Sequence, residues 1–223
     1  GKEQYSELDL HCIYYKTGNE SYAKLKRLEE NYTKEYPEEN FSIITREDVL
    51  SVLKQSTTTN AIFCDYVEHL QKIQDLTDSY LSSPIKKWSW EAWQGFYMAL
   101  EKELQTGDWG YVANPSGGFL GFWWHWNSIA SNTDVDIYLQ LEEKKLCVKS
   151  YQKGGVEKGY IYSSQLIELA KEKNISLVKP DRLRKGTTMT LAVHILPDTA
   201  NLPDIVQLLR EIENFLDEAS QYL

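Results

Sequence analysis

The 223-residue sequence has no stretch of about 18 apolar residues, so nothing in it reads as a membrane-crossing helix. Its first residues, Gly1-Lys2-Glu3-Gln4, carry no apolar signal region, and Gly1 in place of Met reads as the end of a trimmed chain. Positive charge is scarce. Against 33 acidic residues stand 24 basic ones, a formal charge of −9, which argues against a dedicated nucleic-acid-binding protein but leaves room for a local basic patch. Cysteine is scarce too: Cys12, Cys64 and Cys147 form neither a disulfide framework nor a CxxC zinc pair. Cys64 and Cys147 sit among apolar residues and read as buried thiols, which together suggest a reducing, cytoplasmic setting. No G-x-S-x-G elbow, Walker A loop or helix-opening G-x-G-x-x-G occurs, and the four histidines, His11, His69, His125 and His194, contain no HExxH pair.

What is present is an ordinary globular composition, 42% hydrophobic and 13% aromatic, with seven Trp and fifteen Tyr. The first 44 residues are charged and tyrosine-rich, with Tyr22, Leu25 and Leu28 spaced for a helix from near Ser21. Thr45, Ser89 and Asn201 are N-cap residues, each preceding an apolar pattern at helical spacing. These patterns run through Val49–Leu53, Trp90–Leu104 and Ile205–Ala219, while Ile62, Phe63, Tyr66, Leu70, Ile73 and Leu76 make a further stripe. From Trp109 the texture changes. Phe119–Trp126 and Asp136–Leu141 read as strands, Glu143-Lys144 as a tight turn, and Leu146–Tyr151 as the returning strand. A helix over 163–173, a short strand over 177–179 and a strand over 189–195 precede the last helix. The pattern predicts an α+β fold: a helical region, 1–106, followed by a sheet region, 107–223, in the order ββββ-α-ββ-α with a mixed or mainly antiparallel sheet. Both parts are expected to share one core.

Three places could carry function. Asp136 opens one strand and Lys149 lies on the next, as in a hairpin that binds Mg²⁺ through carboxylates and activates water with a lysine. Cys147 stands where the second carboxylate is needed, and a thiol is a poor ligand for a hard cation. Glu142 would have to turn inward to replace it. The turn Asn114-Pro115-Ser116-Gly117-Gly118 and the aromatic run with Trp123, Trp124 and His125 are candidate ligand contacts. The segment containing Lys179, Arg182, Arg184 and Lys185 is the most basic in the chain and, with Lys149 and Lys153, the first place to look for phosphate contacts.

The segment Gly107–Trp124, GDWGYVANPSGGFLGFWW, resembles a motif in the later part of bacterial and phage-associated PD-(D/E)XK nuclease superfamily proteins. Ile137–Glu142 with Lys145–Lys149, and Arg182–Ala192, are similar in the same order, and Thr45–Leu53 and Asp65–Leu70 fit more weakly. The resemblance covers about Ile44 to the end. It implies a region that follows a nuclease core, and 44 upstream residues are too few for such a core, so the family's catalytic residues have no positions here. The expectation is a non-catalytic recognition or regulatory module, with defence against foreign DNA as its setting and the upstream nuclease core of the same parent as its partner. It would have no cofactor of its own and no membrane contact. The alternatives are a degenerate metal-dependent nuclease using Asp136, Glu142 and Lys149 with Mg²⁺, and an oligomerisation domain built on the long helices.

Overall fold

The computed structural model describes residues 11–114, 117–183 and 186–223. It has the expected α+β architecture, with one element pair that the sequence pattern does not announce. Strand β1 (His11–Lys16), helix α1 (Tyr22–Glu35) and strand β2 (Asn40–Thr45) form a β-α-β unit whose two strands pair in parallel, His11 with Asn40 through Lys16 with Thr45. Among the described residues of the N-terminal region, this small sheet replaces the purely helical expectation. In β1 the alternation puts Ile13 and Tyr15 outside and Lys16 inside, and β2 does not alternate, so neither strand carries an apolar period-2 signal.

Thr45 ends β2 and caps α2 (Arg46–Leu53) with a complete capping box: its hydroxyl accepts from the Asp48 amide, and the Asp48 carboxylate takes the Thr45 amide. Asn60 caps α3 (Ala61–Asp78) and Ser89 caps α4 (Trp90–Leu104). Helix α3 is less buried than its stripe suggests. Leu70 is inside, whereas Ile62 is 81% exposed and Tyr66 and Leu76 are also exposed. Cys64 is exposed as well, which corrects its reading as a buried thiol. Helix α4 packs on α3 so closely that a Cβ at Gly95 would overlap the Thr77 carbonyl. Its last turn ends in a left-handed residue at Gln105, φ 55°, two positions before Gly107.

The second half is a five-stranded antiparallel meander in sequence order, β3 (Asp108–Val112), β4 (Phe119–Ile129), β5 (Asn132–Glu142), β6 (Lys145–Tyr151) and β7 (Thr188–Ile195). Helix α5 (Gly159–Glu172) begins four residues earlier than expected and joins β6 to β7. The expected strand at 177–179 reduces to a single bridge between Val178 and Val193 at the β7 edge. Asn201 caps α6 (Leu202–Ala219), whose continuous stripe of Ile205, Leu209, Ile212 and Leu216 is buried as predicted.

The core lies between these helices and one sheet face. Phe96, Tyr97 and Leu100 of α4, Leu209, Ile212 and Leu216 of α6, and Leu166 and Ala170 of α5 meet Phe122, Trp124, Leu139, Leu141, Leu146 and Val148. Tyr97 ties the layers together: its hydroxyl donates to the Leu120 carbonyl at 3.1 Å and accepts from the Glu143 amide at 2.9 Å. That bond anchors the two-residue turn between β5 and β6, where Glu143 is left-handed at φ 53°.

Candidate binding face of the sheet

Alternation along each strand sends Phe122, Trp124, Leu139, Leu141, Leu146 and Val148 to the helices, so their neighbours point the other way. Registers place Trp123 beside Gln140 and Cys147, Tyr138 beside Lys149, and Glu142 beside Lys145 on this second face. The register breaks between Trp124 and Asn127. His125 takes φ 58° in that bulge, and its Nε2 bonds Asp217 of α6 at 2.8 Å, beside the Asn127 amide on the same carboxylate oxygen. His125 therefore holds the bulge to α6. Trp124 is a core residue whose indole N–H donates to buried Glu213, which also takes Arg210.

The bulge re-aims the chain so that Trp126 lies on the second face, 50% exposed and stacked on Tyr138 with ring centroids 4.0 Å apart and planes 12° from parallel. Tyr151 meets Trp126 edge-on at 6.4 Å. Trp126 closes the aromatic run Phe119–Trp126, but nothing in such a run reveals where a bulge shifts the alternation, and so which of its rings face outward. Trp123, a candidate ligand contact by sequence, is half-buried on this face.

Beside the rings sits an ionic cluster. The Glu142 carboxylate bonds Lys145 at 2.5 Å and Lys149 at 2.8 Å, and accepts from the Gln140 amide at 3.2 Å. Lys149 reaches back four residues along the ladder to do so, and its stem spans the positions of Gln140 and Cys147. Burial opposes ionisation of Glu142, but its hydrogen bonds and charge contacts with Lys145 and Lys149 outweigh that and hold its carboxyl below the ordinary range. Cys147 beneath is fully buried, and burial, with the Glu142 charge adding to it, pushes its thiol up to about 12. Burial likewise raises the Tyr138 phenol to about 12.

Of the sequence-predicted catalytic set, the structure brings Glu142 and Lys149 together and leaves Asp136 apart. Six residues of strand separate Asp136 from Glu142, about 20 Å at ~3.4 Å per residue, and Asp136 accepts from Ser128 at 2.8 Å instead. One Mg²⁺ draws its ligands to about 2.1 Å, a span these two carboxylates do not share. No trio of His, Cys, Asp or Glu poised for a metal occurs among the described residues. Asn114 receives the amides of Gly117 and Gly118 in an exposed turn, at its carbonyl and side-chain oxygen respectively. Lys179, next to the Val178 bridge at the β7 edge, and Arg182 are exposed. Ser116, Arg184 and Lys185 lie outside the described residues. No described helix is long and apolar enough to cross a membrane. No protein-family model, curated protein or solved structure matches the chain.

Proposed function

We propose that this chain is a recognition module that receives single-stranded nucleic acid on the face of its five-stranded sheet opposite α4, α5 and α6. One observation carries the reading: Trp126 stands half-exposed, stacked on buried Tyr138 and flanked by Tyr151, on the sheet face opposite α4, α5 and α6. A base stacked on such a ring gains roughly 1–3 kcal/mol without regard to its identity. The exposed cations Lys179 and Arg182 would meet the backbone. Because the chain as a whole is acidic, few phosphates would be neutralised and the salt dependence would be shallow.

The resemblance to PD-(D/E)XK proteins gives this module a place: beside a nuclease core in the same parent, in defence against foreign DNA, with any Mg²⁺ belonging to that core. The β1–β2 pair fits such a parent, since two parallel strands alone make a marginal sheet and ordinarily belong to a larger one. The test is anisotropy of labelled single- and double-stranded DNA and RNA with the purified chain and Mg²⁺, followed by a gel for cleavage. Saturable binding of single strands without cleavage is the expected result. Cleavage lost in Lys149→Ala would replace the proposal with the degenerate-nuclease reading. Absence of binding to every strand would redirect it to a protein partner on the same face.

A further inference from the structure

Both strands of the small parallel pair end at one place. Lys16 is the last residue of β1, Thr45 the last of β2, and the two are register partners. From there one chain turns through residues 17–21 into α1 and the other enters α2 directly. Loops diverging from the carboxyl ends of parallel strands open a crevice, which is where α/β folds hold ligands. Here the crevice is a cavity of about 30 Å³ whose walls include Lys16, Gly18, Asn19, Thr45, Arg46 and Glu47. A Cβ at Gly18 would meet nothing within 4 Å.

Two of those walls are buried cations. Lys16 and Arg46 are each 5% exposed. Arg46 spends its guanidinium on neutral oxygens: Nε on Gln74, one terminal nitrogen on the Thr17 carbonyl, the other on Asn19 and Thr77, at 2.7 to 3.1 Å. Lys16 makes one hydrogen bond, 3.3 Å to the Glu20 carbonyl, and its ammonium lies 5.6 Å from the Tyr22 ring centre. Neither forms an ion pair among the described residues. The acids whose fields reach them are committed elsewhere. Glu20 binds Lys24 and the Tyr14 hydroxyl, Glu47 and Asp78 both take the Gln74 amide, and Glu101 takes the amides of Tyr22 and Ala23. Burial lowers the affinity of both Lys16 and Arg46 for their protons, the direction expected of cations short of a direct counter-charge. Thr45, Arg46 and Glu47 are also the cap and first turn of α2, whose positive end favours an anion.

We infer that this crevice is a site for a compact oxyanion of the phosphate type, free or as the end group of a larger ligand, held by Lys16 and Arg46 at the start of α2. A larger ligand has room beside it. Tyr22 and Thr45 also line a groove of about 720 Å³ between α1, β2 and the end of α4, a volume in the range of small-molecule sites. The site is separate from the sheet face and stands or falls independently of it.

Thermal unfolding of the full chain tests it, in a sodium phosphate series against sodium chloride of equal ionic strength. A ligand bound only by the folded state raises Tm with its concentration. The unaltered chain should show that rise. Lys16→Met keeps the stem and removes the charge, so it should be at least as stable in chloride and lose the phosphate-dependent rise. Adenosine monophosphate in place of phosphate separates the two sources: a rise at lower concentration identifies a phosphate carried on a larger body, an equal one identifies the free ion. No rise in the unaltered chain, or an equal rise in Lys16→Met, overturns the inference. If Lys16→Met does not fold, calorimetric titration of phosphate into the unaltered chain decides: one site per chain supports the inference, and heats no larger than dilution overturn it.

Discussion

Cys147 lies two residues before Lys149 on β6, at the position where a nuclease-type strand carries a carboxylate, and it is fully buried under Lys149 and Glu142. With its thiol pushed up to about 12, only about one molecule in ten thousand is thiolate at pH 8. Cys64 is exposed and Cys12 half-buried. A thiol-reagent titration of the native protein at pH 8 should therefore show two reactive thiols, the faster removed by Cys64→Ser and the slower by Cys12→Ser, with Cys147 reacting only on unfolding. Two carboxylates give opposite pH signatures. Glu142 is held below its ordinary value, so its contribution to stability is present above about pH 4.3 and is lost as pH falls through and below that value. Glu101 is raised by burial, which its bonds from the α1 amides only partly offset, so it destabilises the fold as pH rises from about 4.3 upward. Denaturant unfolding across pH 3–7 should show Glu142→Gln with a shallower loss on the acid side and Glu101→Gln with a smaller loss as pH rises.

Among the elements, those with a cap residue and a strong period were legible in the sequence. Thr45, Ser89 and Asn201 cap their helices as read, and the α6 stripe is buried along its length. The β5–β6 hairpin around Glu143-Lys144 was legible from alternation and turn chemistry. The parallel pair β1–β2 was not. Its strands carry Tyr, Lys and Ser where a buried parallel sheet would carry aliphatic runs, and its partners lie 29 residues apart, from Lys16 to Thr45. The candidate face was half legible: Trp123, Glu142 and Lys149 were named, but the bulge that exposes Trp126 and aims His125 at Asp217 leaves no mark in a one-dimensional pattern. Packing between elements gives two sharp tests. Gly95→Ala should gain about 1 kcal/mol of helix propensity yet lose more, roughly 1–3 kcal/mol net, because its methyl overlaps the Thr77 backbone between α3 and α4. Tyr97→Phe should cost about 1–3 kcal/mol by leaving the Glu143 amide and Leu120 carbonyl without their partner. Urea unfolding measures both, and a neutral result for either would contradict the packing described.

At the scale of the whole molecule, the helices and the sheet divide the labour. One sheet face is sealed by α4, α5 and α6 around a continuous apolar core. The opposite face keeps its polar network satisfied internally, with Glu142 neutralised by two lysines, and offers rings. An acidic chain with such a face is suited to contacts driven by stacking, and its affinity for single strands should change little with salt compared with a basic nucleic-acid-binding protein. The most direct test of the recognition face is a titration of a single-stranded oligonucleotide, followed by anisotropy, into three proteins: the unaltered chain, Trp126→Ala, and Trp90→Ala. Trp90 is a comparably exposed ring at the start of α4, beside Tyr111 and away from the Trp126–Tyr138 stack. The account predicts that Trp126→Ala weakens binding by about 5- to 100-fold, the equivalent of one lost stacking contact, while Trp90→Ala binds like the unaltered chain. Equal affinity in all three, or a loss confined to Trp90→Ala, would contradict it.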